Sequence, residues 1–195
     1  MTALSTRDPI VGILLAAGSA SRFGGDKLLA PLKDGTPLGV RALSNLVACV
    51  DNVVAVVRPG DQTLARALSD HGAELTVCPY AVNGMGQSLA WAIRATPLAK
   101  AWVIALADMP WIEIATNQRI AAALERGAEL VAASHQGVRG HPVGFSRRYY
   151  GELAALSGDE GAKSLVRRHE RALQLIETND AGISRDVDTP EDLRC

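Results

Sequence analysis

The fold is decided by a stretch that reads Ile10-Val11-Gly12-Ile13-Leu14-Leu15-Ala16-Ala17-Gly18 and continues as Ser19-Ala20-Ser21-Arg22-Phe23-Gly24-Gly25-Asp26-Lys27. Its first part is an aliphatic run typical of a buried β-strand, and its second part is a small glycine-rich loop. Small residues let backbone N–H groups approach an anion closely, and Arg22 and Lys27 bring positive charge to it. The stretch therefore predicts a strand that leads into a phosphate-binding loop.

This loop does not have the spacing of a Walker A loop. Gly18 and Gly24 are too far apart, and Leu28 stands where a magnesium-binding Ser or Thr is needed. The loop also contains no G-x-G-x-x-G sequence. From its own residues, the loop is either a phosphate site or an ordinary turn of a doubly wound domain.

Short aliphatic runs alternate along the chain with amphipathic stretches that have helix-start signals. The predicted strands cover residues 11–17, 53–57, 75–78, 102–106 and 130–133, and the predicted helices cover 38–50, 62–69 and 85–95. Residues 135–142 predict a hairpin or a long turn. The alternation predicts an α/β domain over residues 1–195 with a mostly parallel sheet, whose ligand binds outside the carboxyl ends of the strands.

Composition limits the class of ligand. The chain has 195 residues, 48% of them hydrophobic, and a formal net charge of -1. Its Lys and Arg residues are scattered, so we expect a small-molecule ligand and no nucleic acid. Cys49, Cys78 and Cys195 lack the spacing of a zinc site or a redox pair. A polar start and the lack of a long apolar run predict a cytoplasmic protein with no membrane span.

Two acidic segments are candidates for a metal site. Asp108 follows a predicted strand and reaches the same sheet edge as the Gly18 loop, although an aspartate before a proline also serves as a turn residue. Asp186 and Asp188 point to opposite faces of an extended chain, so only one of them is expected to meet Asp108. Thr189 is predicted to cap a final helix. Carboxylate ligands of this kind suit Mg²⁺.

The chain resembles the nucleotidyltransferases of molybdenum cofactor biosynthesis, a branch of the group that includes sugar-phosphate nucleotidylyltransferases. The resemblance rests on Leu15 to Gly18 with Ser21-Arg22 and Gly24 to Lys27, Gly84 to Leu89, Ala107 to Pro110, Gly140 to Val143, Gly158 to Lys163, and Asp186 to Leu193. It implies a single Rossmann-like three-layer domain of the nucleotide-diphospho-sugar transferase type.

The resemblance also implies a reaction and the residues that perform it. Arg22 and Lys27 would contact the phosphates of an NTP, Asp108 would bind Mg²⁺, and Asp186 would complete the metal site. The implied reaction is attack of a substrate phosphate oxygen on the α-phosphorus of the NTP, with release of pyrophosphate. Positioning and charge neutralisation suffice for such a step, because a phosphate needs no strong base to act as a nucleophile.

The implied nucleotide site contains more residues than the phosphate loop. It comprises Leu15, Ala16, Ala17, Gly18, Ser19, Arg22, Lys27, Gly84, Gln87 and Ser88. The sequence Leu15-Ala16-Ala17-Gly18 resembles that of the cytidylyl branch of the family. The methyl group of Ala17 narrows the space beside the base, which favours a pyrimidine. Gln87 and Ser88 could contact the base, or they could simply begin a helix.

The acceptor implied by the resemblance is a molybdopterin-type cofactor. Arg139 and His141 would lie beside the pterin, and Lys163 would meet its phosphate. A histidine in a turn is also commonly a hydrogen-bonded structural residue, and that alternative stays open for His141. A molybdoenzyme or its maturation factor would be a further partner.

Two classes of function follow. The first is an enzyme that transfers CMP from CTP to the molybdenum cofactor, with GMP transfer, or transfer to a sugar or polyol phosphate, as variants. The second is a carrier that binds the cofactor and passes it to another protein without catalysing the transfer. The carrier would bind nucleotide without releasing pyrophosphate.

Overall fold

The computed structural model describes residues 8–18 and 23–194. The strands are β1 (Ile10–Leu15), β2 (Asn52–Val57), β3 (Ala73–Val77), β4 (Ala101–Leu106), β5 (Leu130–His135), β6 (Val138–Ser146) and β7 (Leu173–Glu177). The helices are α1 (Leu38–Val47), α2 (Gln62–Asp70), α3 (Met85–Ala95), α4 (Ile114–Glu125), α5 (Tyr150–Ala154) and α6 (Lys163–Arg168). Short 3₁₀ turns cover Lys27–Leu29, Ala81–Asn83, Arg147–Tyr149, Glu170–Ala172, Ala181–Ser184 and Pro190–Arg194.

The strands of the described ranges form one seven-stranded sheet in the order β3-β2-β1-β4-β6-β5-β7. β1 is parallel to both β2 and β4, β2 is parallel to β3, and β5 is parallel to β7. β6 is antiparallel to β4 and to β5. The predicted α/β class with a mostly parallel sheet is confirmed, and so is the hairpin, whose turn is formed by Gln136 and Gly137.

Helices cover both faces of the sheet. On one face, α1, α2 and α4 contribute Leu43, Leu68 and Ile120 to a buried cluster. On the other face, α3, α5 and α6 contribute Ile93, Leu153 and Leu165. Buried side chains of β1 alternate between the two clusters, as expected for a strand covered on both sides. The three-layer arrangement expected from the sequence is therefore confirmed.

The sequence patterns did not predict α4, α5, α6 or β7. α4 buries one face, with Thr116, Asn117, Ile120, Ala121, Ala123 and Leu124, and because two of these residues are polar the sequence shows no clear apolar stripe. β7 lies at the edge of the sheet, and all five of its residues are exposed or half-buried. None of the helices in the described ranges combines the length and the apolar character needed to cross a membrane.

The topology determines where a ligand can bind. β1 lies between β2 and β4, so the chain moves to one side of β1 for two strands and then returns to its other side. This reversal creates a crevice at the carboxyl ends of the strands, which is the usual ligand site in open α/β sheets. The loops that follow β1, β2, β3 and β4 all reach this edge.

Candidate active site

A cavity of about 970 Å³ opens at this edge of the sheet. Its wall includes eight residues of the predicted site, namely Leu15, Ala16, Ala17, Gly18, Lys27, Gly84, Ser88 and Asp108. The volume is within the range of small-molecule sites, about 300–1,000 Å³. Ser19 and Arg22, also predicted for this site, lie outside the described residues.

A lysine and two aspartates form the charged centre of the cavity. Lys27 Nζ donates to Asp108 Oδ2 at 2.9 Å and lies 3.8 Å from Asp188 Oδ1. The side chain of Lys27 is only 12% exposed, so its interactions are less screened by water than those of a surface pair. One cation is thus shared by two carboxylates that are remote from each other in sequence.

Backbone hydrogen bonds hold the three segments of this centre together. The Ala107 N–H donates to the carbonyl of Leu15 at 3.1 Å, which joins the end of β4 to the end of β1. The Val187 N–H donates to the carbonyl of Asp108 at 3.0 Å, which joins the C-terminal segment to the same loop. The separation between Asp108 and Asp188 is therefore fixed by main-chain contacts as well as by Lys27.

The predicted final helix is a 3₁₀ turn, Pro190–Arg194, and the Thr189 hydroxyl does not cap it as predicted, because it donates to the carboxylate of Asp192. Asp192 Oδ2 accepts from the N–H groups of Asp188 and Thr189 at 2.9 and 2.7 Å, and from the Thr189 hydroxyl at 3.0 Å. These bonds, the Thr189 N–H first, hold the pKa of Asp192 below its ordinary value. The same bonds fix the backbone that carries Asp188.

The donor set fits a small divalent cation. Carboxylate oxygens of Asp108 and Asp188 already surround one positive group, the Lys27 ammonium. In the described ranges no three His, Cys, Asp or Glu side chains come together as a metal site. A pair of carboxylates is nonetheless the protein contribution that Mg²⁺ typically uses together with phosphate oxygens and water.

The structure places Asp186 differently from Asp188. Asp186 is exposed and is not part of the cavity wall, whereas Asp188 is half-buried and lines it. The assignment of Asp186 as the second metal ligand stays a prediction. The placement agrees with the expectation that only one of the two acids faces Asp108.

Sequence reasoning did not single out the loop after β2. Arg58 Nε donates to Asp61 Oδ2 at 2.7 Å, and both residues line the cavity. Arg58 directly follows the last residue of β2, which is a neighbour of β1 in the sheet. A search for charged residues at the carboxyl end of every predicted strand would have found it.

The start of α3 is enclosed by a second loop. The Gly86 N–H donates to the carbonyl of Gly158 at 2.8 Å, and a Cβ at Gly84 would overlap Gly158 and Asp159. Gly84 has a φ of 110°, a conformation that favours glycine. Gly84, Ser88 and Asp159 line the cavity, whereas Gln87 is not part of its wall.

The three predicted acceptor residues lie outside the cavity wall. Arg139 and His141 lie two positions apart on β6, and Lys163 is the exposed first residue of α6. Burial lowers the pKa of His141, while Asp108 and Asp186 act in the opposite direction. The lowered pKa favours the neutral imidazole at pH 7. His141 Nδ1 is buried and has no hydrogen-bond partner among the described residues.

A three-layer α/β fold with a lysine and two carboxylates at the switch point defines a nucleotide-binding type of protein. The chain belongs to the family described as the MobA-like NTP transferase domain, whose model matches residues 12–172. Membership confirms the resemblance found in the sequence motifs and places the chain among nucleotidyltransferases.

Curated relatives of the chain carry diverse names. The purine catabolism protein PucB of Bacillus subtilis is 32% identical over 94% of this chain and 93% of its own length. Nicotine blue oxidoreductase of Paenarthrobacter nicotinovorans is 28% identical over 94% of each chain. The molybdenum cofactor guanylyltransferase of Mesorhizobium japonicum is 34% identical over 70% of this chain and 66% of its own.

Solved structures with this fold include Rv0371c of Mycobacterium tuberculosis. That protein is 30% identical to this chain, covers 97% of each chain, and superposes with a TM-score of 0.79. A structure of Rv0371c in complex with manganese is 29% identical, covers 97% of each chain, and has the same TM-score of 0.79.

Proposed function

We propose that the protein transfers a nucleoside monophosphate, most favourably CMP from CTP, to the phosphate of a molybdopterin-type cofactor and releases pyrophosphate. The observation that carries the proposal is the position of Lys27 Nζ, 2.9 Å from Asp108 and 3.8 Å from Asp188 at the sheet edge. The two carboxylates can bind a metal ion, and the ammonium can neutralise phosphate charge of an NTP. Family membership gives the reaction class.

Each charged residue has a defined role in this reaction. Lys27 would contact the triphosphate and stabilise the charge that develops as the α-phosphorus is attacked. Arg22, on the same loop in the sequence, would add a second positive charge. Asp108 and Asp188 would hold Mg²⁺ or Mn²⁺, which neutralises phosphate charge when bound. The manganese complex of Rv0371c supports a divalent cation in this family.

Position 17 supports the choice of CTP. Ala17 is buried at the wall of the cavity, two residues after the end of β1. A methyl group there takes up space beside the base, and a pyrimidine needs less space than a purine.

Replacing Ala17 by glycine tests this steric account. We expect Ala17→Gly to lower the ratio of kcat/KM for CTP to that for GTP by roughly 10-fold, because one missing methyl group alters discrimination by about 1–3 kcal/mol. Steady-state assays with both nucleotides measure the ratio. An unchanged ratio would refute the steric account, while Ala99→Gly, which removes a buried methyl group away from the cavity wall, serves as the control.

The acceptor assignment rests on the resemblance and on the name of one relative, the guanylyltransferase of Mesorhizobium japonicum. Arg139, His141 and Lys163 are the residues proposed to contact it. Because His141 is neutral, it would act as a hydrogen-bonding group and not as a cation.

The test is an assay of pyrophosphate release with each of the four NTPs and Mg²⁺ or Mn²⁺, with and without molybdenum cofactor. Release that needs both CTP and the cofactor supports the proposal. Release with GTP, or with a sugar or polyol phosphate, changes the substrate but keeps the class of reaction. Nucleotide binding without release under any condition contradicts an enzyme and favours the carrier.

A further inference from the structure

A buried carboxylate, Asp180, lies outside the reacting centre. It is 3% exposed. Asp180 Oδ1 accepts from the Gly182 N–H at 2.8 Å, and Oδ2 accepts from the Glu113 N–H at 2.8 Å and the Thr116 hydroxyl at 2.7 Å. A buried carboxylate is costly unless donors satisfy it, and here three donors do so.

These donors belong to two different segments of the chain. Glu113 is the N-cap residue of α4, and Thr116 lies in the first turn of that helix. Gly182 lies in the 3₁₀ turn Ala181–Ser184. The carboxylate of Asp180 therefore accepts one N–H at the start of α4, that of Glu113, and lies near the positive end of the helix dipole, while its other oxygen binds the C-terminal segment.

The same two segments carry the two carboxylates of the cavity. Asp108 precedes α4, and Asp188 follows the Ala181–Ser184 turn. Further contacts join the segments between these points. The guanidinium of Arg185 lies 3.9 Å from the centre of the Trp111 ring. A Cβ at Gly182 would overlap the carbonyl of Trp111, so the two backbones are in close contact there.

We propose that Asp180 is a positioning residue that holds Asp188 in register with Asp108 and thereby sets the affinity of the site for a divalent cation. The inference rests on the proposed function, because it takes these two carboxylates as the metal ligands. Asp180 acts through the two segments and touches neither the metal nor the substrate. Outer residues that orient metal ligands typically change metal affinity by about 10- to 100-fold.

Two variants test the inference by direct measurement of Mn²⁺ binding. Asp180→Asn replaces one acceptor oxygen by a donor, and Thr116→Val removes one of the three donors. Thr76→Val is the matched control. The Thr76 hydroxyl also makes a partly buried hydrogen bond, in which it accepts from Trp91 Nε1 at 2.9 Å, and this bond lies away from Asp180. Mn²⁺ dissociation constants are measured by electron paramagnetic resonance, and thermal unfolding is followed in parallel.

We expect Mn²⁺ binding to weaken by about 10-fold in Asp180→Asn and by a smaller factor in Thr116→Val. Thr76→Val should lose stability but keep the wild-type dissociation constant. If Asp180→Asn fails to fold, Thr116→Val decides. Folded variants that bind Mn²⁺ as tightly as wild type overturn the inference alone. A wild-type protein that binds no Mn²⁺, with or without CTP, overturns the proposed metal site together with it.

Discussion

At the residue scale, the ammonium of Lys27 is held between Asp108 and Asp188 in a partly buried position. The same ammonium lies within reach of both carboxylates, so Lys27 links the two acids that are proposed to bind the metal. The arrangement distinguishes Lys27 from the exposed lysines of the same region, such as Lys33.

Loss of the Lys27 charge should abolish most of the activity. We expect Lys27→Met to lower kcat for pyrophosphate release by about 100- to 1,000-fold, because it removes a group that stabilises charge in the transition state. Lys33→Met, which removes an exposed ammonium nearby in sequence, should stay within about 2-fold of wild type. Steady-state kinetics compare the two, and equal effects would contradict the role given to Lys27.

Asp186 and Asp188 can be distinguished by one matched pair of substitutions. Asp188→Asn should weaken Mn²⁺ binding by about 10-fold or more, because it removes a charged oxygen ligand beside Lys27. Asp186→Asn should have little effect if the exposed position seen in the structure is maintained on binding. Mn²⁺ titration of both variants distinguishes the two residues. A larger loss of Mn²⁺ affinity in Asp186→Asn would support Asp186 as the second metal ligand, as predicted from the sequence.

At the element scale, the start of α3 depends on its contact with residues 157–161. The N–H of Gly86 bonds to Gly158, and a Cβ at Gly86 would lie 2.6 Å from the carbonyl oxygen of Ser157. Real Cβ atoms do not approach a carbonyl this closely, so the loop and the helix can meet only because the residue is glycine. The contact also places Asp159 at the cavity wall.

A pair of glycine substitutions within helices tests this contact. Gly86→Ala should reduce stability by about 1–3 kcal/mol, because the overlap outweighs the gain in helix propensity of about 1 kcal/mol. It should also raise the KM for the nucleotide. Gly151→Ala, in α5 with no atom within 4 Å, should be neutral or stabilising. Denaturant unfolding measures both, and a stable Gly86→Ala protein would contradict the packing.

The elements that sequence patterns predict well are those with simple periodicity. β1 and β4 are aliphatic runs buried on both faces, and their assignment needed no tertiary information. By contrast, the buried face of α4 includes the polar residues Thr116 and Asn117, and β7 is an exposed edge strand. Whether each of these two segments is buried depends on the elements that pack against it. The local periodicity of the sequence carries no information about those elements.

At the scale of the whole molecule, the site unites residues from distant parts of the chain. The motif around Lys27 and the aspartate Asp108 could be recognised from local sequence. The preference for Asp188 at the cavity wall could not, because it depends on the bond between Val187 and Asp108 and on the hydrogen bonds that Asp192 accepts. Arg58 could have been found because it directly follows a predicted strand, but only the strand order shows that this strand is next to β1.

Ligand binding at this site should stabilise the entire fold, since the cavity is lined by the loops after four strands of the sheet together with Asp159 and Asp188. At 100 times its dissociation constant, a metal–CTP complex contributes about 2.7 kcal/mol, which corresponds to a rise in Tm of about 5–10 °C for a domain of this size. Asp108→Asn should show less than half of this shift. Differential scanning calorimetry measures it, and an equal shift in both proteins would mean that Asp108 holds no metal.

The position of β6 between β4 and β5 also has a consequence for folding during synthesis. β4 is made before α4 and β5, yet the partner on one of its edges is β6, which is translated after both. Until β6 emerges, that edge of β4, with the apolar side chains of Trp102 and Ile104, has no native partner. Closure of the sheet therefore waits for residues 138–146, and until they are available this edge of β4 is open to pairing with another chain.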